Sequence, residues 1–314
     1  MSALSAPYMH NEAAAFEHVE AMLWPEGPVC PKCGSAGEHY VLNGVRSKPS
    51  KKNPKGVERF GLKKCVDCNK QFTVRIGTIF ESSHVKLHIW LQAIYLMATS
   101  KKGISSNQLH RTLGITLKTA WFLSHRIREA MRSGELDLMG GEGQAVEVDE
   151  TFIGRKKGAE IRRGASHKMA VLSLVQRGGK VRSFTINGTS AAEIGPIVNA
   201  NVARETFLLS DEAKQYQKIG KGYQAHLWVN HGSGEYVDGP VHTNTIEGFF
   251  SIFKRGMKGV YQHCSEKHLH RYLAEYDFRY NNREAQGVND AARAASLLAS
   301  VVGKRLMFRD SLEW

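Results

Sequence analysis

Two sets of residues in this 314-residue chain have types and spacings suited to metal chemistry: three carboxylates, Asp149, Asp211 and Glu247, and four cysteines nearer the N-terminus. Val146-Glu147-Val148-Asp149-Glu150 reads as part of a strand. Alternate strand residues point to opposite faces, so Asp149 shares a face with Glu147 while Glu150 projects to the other. Leu208-Leu209-Ser210-Asp211-Glu212 places Asp211 at the tip of a later strand, and Glu247 lies in a stretch, His242 to Phe250, that reads as the start of a helix. Three carboxylates gathered at one spot repel each other, and cations must offset that repulsion. Mg²⁺, or Mn²⁺ in its place, prefers oxygen ligands and bridges protein carboxylates to phosphate oxygens. Two such ions can activate an attacking oxygen and stabilise a leaving 3′ oxygen in an in-line displacement. Lys254, seven residues after Glu247, falls two helical turns on and on nearly the same face, where it can ground a phosphate as a point charge. Asn244, three residues before Glu247, shares that face.

The cysteines come as Cys30-Pro-Lys-Cys33 and Cys65-Val-Asp-Cys68. Four thiolates at this spacing close a tetrahedral structural Zn²⁺ site with no open coordination position, so the metal holds the fold and does no chemistry. Gly34 and Asn69 follow the pairs and suit the turn each knuckle needs. Disulfides are disfavoured in an intracellular basic protein, and a redox Cys-x-x-Cys does not come in duplicate. Cys264 has no partner motif and reads as an ordinary thiol. The interval between the pairs exceeds the usual ~15–20 residues, which calls for an inserted hairpin. That insert is basic: Val41 to Arg75 holds ten Lys and Arg against two acidic residues.

The whole chain has 43 Lys and Arg against 30 Asp and Glu, a net charge of +13, which favours a polyanionic partner such as nucleic acid. With 42% hydrophobic and 23% charged residues it is neither disordered nor fibrous. Its longest apolar run, about His88 to Ala98, is too short to span a bilayer, which needs about 20 residues. No basic start followed by an apolar block marks a secretory signal, so the expectation is a soluble intracellular protein without membrane association.

The elements that must position these residues fall into a series. Residues 1–29 form a helical lead-in, 30–76 a zinc ribbon with a basic insert, 86–133 a helix-turn-helix DNA-binding domain, 144–283 the domain with the carboxylates, and 284–314 a C-terminal helical tail. Trp90, Leu91, Ile94, Tyr95, Met97 and Ala98 recur at helical steps. A short helix near Asn107–Leu113, a Gly114-Ile115-Thr116 turn and a longer helix over Leu117–Met131 outline a helix-turn-helix. Lys118, Thr119, Trp121, His125 and Arg128 on the longer helix are its candidate DNA contacts. The Gly-rich stretch 134–143 reads as a linker. Strands are expected over Ala145–Ile153, Met169–Val175, Val181–Ile186 and Thr206–Leu209, with a helix over about Ala191–Ala203 before the last and helices to the end of the chain. Such an order implies an α/β fold with one mixed sheet and flanking helices, and a ribonuclease-H-like sheet is the candidate of that shape. The loop Arg155–Lys168 adds six basic residues against Glu160, either a grip on the DNA backbone or a solvated loop.

The chain resembles the DDE transposases of bacterial insertion sequences that carry an N-terminal zinc ribbon, the IS fifteen-ninety-five group. The matching stretches are Lys102 to Ser106, Glu147 to Gly154, Val229-Asn230-His231, Val241 to Phe249, Lys254-Arg255-Gly256, His270-Arg271-Tyr272 and Tyr280 to Arg283. That resemblance implies a ribonuclease-H-like catalytic domain and metal-dependent transposition of a DNA element. It maps the acidic triad onto Asp149, Asp211 and Glu247, with Lys254 as the basic residue that follows. Members vary at the third acidic position, some carrying Asn, which brings Asn244 into the site beside Glu247. Glu150 is then structural, or supports the acids from behind without holding a metal itself. The implied reaction has two phosphoryl-transfer steps without a covalent enzyme intermediate: water cuts a strand at the transposon end, and the freed 3′ hydroxyl attacks target DNA. Implied partners are double-stranded DNA, as transposon ends and target, and further copies of the chain in a homodimer or higher synaptic oligomer. The implied location is the bacterial cytoplasm, at the nucleoid. The residues alone leave open a non-catalytic zinc-ribbon regulator and a nuclease that cuts without joining.

Overall fold

The computed structural model describes residues 2–51, 53–134, 137–229 and 242–307. Asn230, His231 and Val241 of the matching stretches, and 308–314 of the expected tail, lie outside the described residues. The chain divides into two compact units, one of Met1–Ser100, Ser106–Met131 and Asn289–Trp314, the other of Lys101–Ser105 and Arg132–Val288.

The first unit opens with α1 (Glu12–Leu23), whose first turn is capped by the Asn11 side chain accepting from the Ala14 N–H at 3.1 Å. A small antiparallel sheet follows, β1 (His39–Val41), β2 (Lys63–Cys65) and β3 (Gln71–Phe72), in that spatial order. The basic insert is a hairpin: its arms close through Leu42 N–H to Leu62 O at 2.9 Å, Arg59 N–H to Val45 O at 2.9 Å and Ser47 N–H to Val57 O at 2.8 Å. Next come α2 (Leu87–Thr99), α3 (Ser106–Leu113) and α4 (Leu117–Met131). α2 is apolar on most of its surface and buries Leu87, Trp90, Leu91, Ala93, Ile94, Met97 and Ala98. Its N-terminus is held by the Glu12 carboxylate, which accepts from the Leu87 N–H at 2.8 Å and the His88 N–H at 3.2 Å. An acid there complements the positive end of the helix.

In the second unit, β4 (Ala145–Ile153), β5 (Met169–Gln176) and β6 (Val181–Ile186) run antiparallel. α5 (Ala191–Asn201) leads to β7 (Phe207–Asp211), and α6 (Lys214–Gly220) leads to β8 (Ala225–Val229). Both β7 and β8 are parallel additions beyond β4, so the sheet runs β6-β5-β4-β7-β8. β4 is therefore central. The expected mixed sheet with flanking helices is the architecture observed.

Each face of this sheet has its own core. Val146, Val148, Leu172, Leu174 and Leu208 pack against α5 and α6 through Ile194, Val198, Tyr216 and Ile219. Ile153, Val171, Val175 and Val181 pack on the other side against α7 (Asn244–Gly256) and α8 (Leu269–Asn281), through Ile246, Phe249, Phe250, Phe253, Leu273 and Tyr276. α8 also shields the open edge of β6. Asp277 accepts from the Ser183 N–H at 2.8 Å, and Asn281 bonds both the N–H and the C=O of Val181, at 2.7 and 2.9 Å. Gly256 ends α7 where a Cβ would run into the Tyr276 hydroxyl and stand 2.7 Å from Lys102 O, so the Lys254-Arg255-Gly256 stretch has a packing reason for its glycine. Last, α9 (Asp290–Ala299), capped by Asn289 accepting from the Ala292 N–H at 2.9 Å, rejoins the first unit and packs on α2.

One strand goes beyond the sequence expectation of helices after Asp211. β8 is a five-residue edge strand that leaves Leu227 and Trp228 exposed. Its Ala-His-Leu-Trp-Val run has no clean alternation, because pairing on one side only leaves both of its faces partly open to water.

Candidate functional site

The four cysteines meet. Cys30 and Cys68 Sγ lie 3.7 Å apart, as do Cys33 and Cys65 Sγ, and all four sulfurs fall within 4.8 Å of one another. A tetrahedron of Zn–S bonds of ~2.3 Å has edges of about 3.8 Å, whereas a disulfide needs ~2.05 Å. The cluster has the size of a zinc site, and its cysteines are free thiols. Each knuckle is shaped by main-chain bonds, Gly34 N–H to Cys30 O at 2.8 Å and Cys65 N–H to Lys70 O at 3.1 Å. Asn69 takes the left-handed conformation, φ 56°, that the second turn requires. Cys264 lies outside this set, its thiol donating to Ser265 O at 3.3 Å.

The acids are organised by β4. Its parallel register with β7 pairs Ala145 with Phe207, Val146 with Leu208 and Glu147 with Leu209. Continuing that register by two residues brings Asp149 level with Asp211 on neighbouring strands, on the side of the sheet where α7 packs over β4 and β5. Glu247 sits in the first turn of α7, exposed, accepting from the Thr243 hydroxyl at 2.9 Å. Asn244, Glu247, Ser251 and Lys254 form the outer stripe of α7, opposite its buried stripe of Ile246, Phe249, Phe250 and Phe253. Among the described residues no Lys, Arg or His pairs with Asp149 or Asp211; their hydrogen bonds come from the Glu150 N–H, 2.7 Å, and the Ala213 N–H, 3.1 Å. Burial, followed by the like charges of Glu150 and Asp211 and, more weakly, Glu247, pushes the Asp149 carboxyl from its ordinary 3.8 up to about 8. These acids thus share one field, and among the described residues neither Asp149 nor Asp211 has a cationic partner. Their oxygens do not close to the spacing of the thiolates, which among the described residues are the only set of three or more such ligand atoms within 4.8 Å.

Glu150 faces the other way. It accepts from Gln215 Nε2 at 2.9 Å and from the Tyr216 hydroxyl, which ties β4 to the helix that directly follows Asp211. Burial raises the Tyr216 hydroxyl well above its ordinary value, with Glu150 adding to the shift.

Glu147 has a part that spacing alone did not reveal. Its side chain is fully buried and pairs with Arg177 at 2.8 Å. It also accepts from the Thr245 hydroxyl at 2.8 Å and from the Ile246 N–H at 2.9 Å. An acid facing the core side of an apolar strand is itself the sequence signal for such a partner set, because an unpaired buried carboxylate is very costly.

α3 ends at Leu113 and α4 begins at Leu117, and the turn between them has Gly114 at φ 64°. Two of the side chains expected to contact DNA are buried, His125 at 0% and Arg128 at 1% exposure. The helix turns them inward, and Arg128 donates to Ser124 Oγ at 3.1 Å. Lys118 is exposed and Thr119 and Trp121 are partly so, which leaves the first turn of α4 as its open surface. In the Arg155–Lys168 loop, Arg155, Lys157, Arg162 and Arg163 are exposed. No helix of the described residues is long and apolar enough to cross a membrane.

Residues 139–281 match the ISXO2-like transposase domain, and residues 10–71 match the transposase zinc-ribbon domain. Over 288 residues the chain is 27% identical to an uncharacterized protein in transposable element ISH50 of Halobacterium salinarum, covering 86% of this chain and 90% of that relative. It is 24% identical over 105 residues to an uncharacterized transposase-like protein of Haemophilus influenzae, covering 33% of this chain and 84% of that protein.

Proposed function

We propose that this chain, which matches the ISXO2-like transposase domain over residues 139–281 and the transposase zinc-ribbon domain over residues 10–71, is a transposase that binds the terminal inverted repeats of an insertion sequence, cleaves there and transfers the freed strand end to target DNA. What supports this reading is that the β4–β7 register, continued by two residues, sets Asp149 level with Asp211, that the Asp149 carboxyl feels both Asp211 and Glu247, and that among the described residues no cation pairs with either aspartate. The strand order, two parallel strands added beside a three-stranded antiparallel meander, supports a ribonuclease-H-like domain.

Asp149, Asp211 and Glu247 would hold Mg²⁺ or Mn²⁺, as a pair of ions, which polarises phosphate oxygens and lowers the charge of the pentavalent transition state. Their unbalanced negative charge and all-oxygen donor set suit that role. Asp149, whose carboxyl feels both Asp211 and Glu247, would contribute to holding both ions. Lys254, two turns along α7, neutralises a phosphate next to the scissile one, and Asn244 on the same stripe orients it through its amide. Glu150 and Tyr216 hold α6, and with it the exit of β7, so that Asp211 keeps its level beside Asp149. Catalysis of this kind rests on positioning and charge neutralisation more than on covalent chemistry.

The basic hairpin of the zinc ribbon and the first turn of α4, with Lys118 and Thr119, contact the end DNA, and the 155–168 loop follows its backbone. Pairing two ends before joining requires at least two protomers, so a homodimer or larger complex assembles on DNA. The protein works in the cytoplasm, at the nucleoid.

Labelled end fragments incubated with the full chain and Mg²⁺ test this reading. Joined products support a transposase. Cleavage without joining identifies a nuclease, and binding without cleavage identifies a regulator; either result would overturn the proposal.

A further inference from the structure

α7 carries Asn244, Glu247 and Lys254, yet its contact with the sheet is a smooth apolar stripe of Ile246, Phe249, Phe250 and Phe253. Such a stripe supplies affinity without direction, and it tolerates small slides and rotations of the helix. One residue of slip along a helix moves a side chain by ~1.5 Å and swings it by ~100°. A displacement near 1 Å at a reacting centre lowers rates by about a hundredfold. Something directional must therefore fix α7.

Glu147 is that element. Its carboxylate, fully buried two residues before Asp149, accepts from the Thr245 hydroxyl at 2.8 Å and the Ile246 N–H at 2.9 Å, both in the first turn of α7. Arg177 completes the clamp. Its Nε donates to Glu147 at 2.8 Å, while its Nη2 donates to His242 O at 2.7 Å and lies 3.0 Å from His242 Nδ1, at the entry to the helix. A buried ion pair is a poor stabilising device, since an apolar pair of similar volume does as well or better; its best use is to specify one arrangement. We infer that Glu147, braced by Arg177, is a positioning residue that sets the register of α7 and so the place of Glu247 relative to Asp149. This rests on the acidic-site reading of the proposed function. Within Glu147-Val148-Asp149-Glu150, Asp149 is then flanked by two fixing acids, Glu147 for α7 and Glu150 for α6.

The test uses the full-length wild type, Glu147→Gln, Thr245→Val, the double variant and Asp149→Asn. Mn²⁺ alone is the probe, with its affinity read by paramagnetic resonance. Exchange of the Ile246 amide, end-DNA binding in chelator and the Mg²⁺ dependence of cleavage are read alongside. Glu147→Gln is expected to weaken Mn²⁺ about tenfold or more, the scale seen when outer partners of a metal site are lost. It should also speed Ile246 exchange and raise the half-saturating Mg²⁺ for cleavage, with end-DNA binding unchanged. Thr245→Val, which keeps the Glu147 charge, is expected to weaken Mn²⁺ about threefold, and the double variant less than the product of the two. Faster Ile246 exchange with unchanged Mn²⁺ affinity would reduce Glu147 to a structural residue and overturn the inference. Should Glu147→Gln not fold, unchanged Mn²⁺ affinity in Thr245→Val overturns it equally. A wild type that binds Mn²⁺ no better than Asp149→Asn sinks the acidic-site reading itself, and this inference with it.

Discussion

Asp149→Asn should make the metal-free protein more stable while abolishing cleavage. The Asp149 carboxyl is raised from 3.8 to about 8, by burial first and then by Glu150, Asp211 and Glu247. Between those two values the folded state holds a proton that the unfolded chain has released, so the stability of the native protein falls as pH rises through this window. At pH 7.5 the gap from 3.8 amounts to a ceiling of ~5 kcal/mol, at about 1.4 kcal/mol per pH unit. Asp149 is only partly buried, and water entering the site roughly halves that figure, to about 2–3 kcal/mol. Asparagine has nearly the same shape and no charge to desolvate. In chelator at pH 7.5 the variant should melt roughly 5–10 °C above wild type, on the usual scale of 2–4 °C per kcal/mol for a unit of this size. The difference should shrink as pH falls and vanish only below about pH 3, where the wild-type carboxyl is protonated folded or unfolded. Adding Mg²⁺ or Mn²⁺ should raise the melting temperature of the wild type and not that of the variant. Calorimetric melts from about pH 3 to 8, with and without the ion, measure all of this. Superimposable curves for the two proteins across the whole range in chelator would refute the electrostatic argument.

Cys30→Ser removes one of four thiolates, so zinc content by atomic absorption should drop well below one ion per chain, and end-DNA binding should weaken with it. Lys118→Ala should weaken end binding about tenfold or less with folding intact. Arg128→Ala should instead destabilise the first unit by ~2–4 kcal/mol in urea melts, because its side chain is buried. Lys254→Ala should slow cleavage by ~10–100-fold in single-turnover assays, with DNA binding and melting temperature nearly unchanged; an equal loss of binding would place Lys254 in DNA docking. End binding should also fall steeply between 50 and 200 mM salt, a loss of about a thousandfold if six or more phosphates are contacted.

Some of this protein follows from the order of its residues, because the interactions responsible are local. Alternation along Ala145–Ile153 and Val181–Ile186 is enough to bound β4 and β6 at their observed ends, since side-chain direction reverses at every strand residue whatever the partner. Each cysteine knuckle is closed by bonds within a few residues, so its spacing already specifies the turn. The same alternation assigns Asp149 and Glu150 to opposite faces.

Only the tertiary structure decides which groups meet. His125 and Arg128 look like surface residues on a basic helix, and packing against their neighbours alone turns them inward. β8 has no pattern of its own and exists because β7 offers it an edge. Glu147 reads as one more acid beside Asp149 until Thr245 and Ile246, about a hundred residues later, are brought onto it. The field on Asp149 likewise sums charges from β4, β7 and α7. Contacts of that range depend on where the chain returns in space, and no local periodicity encodes the return.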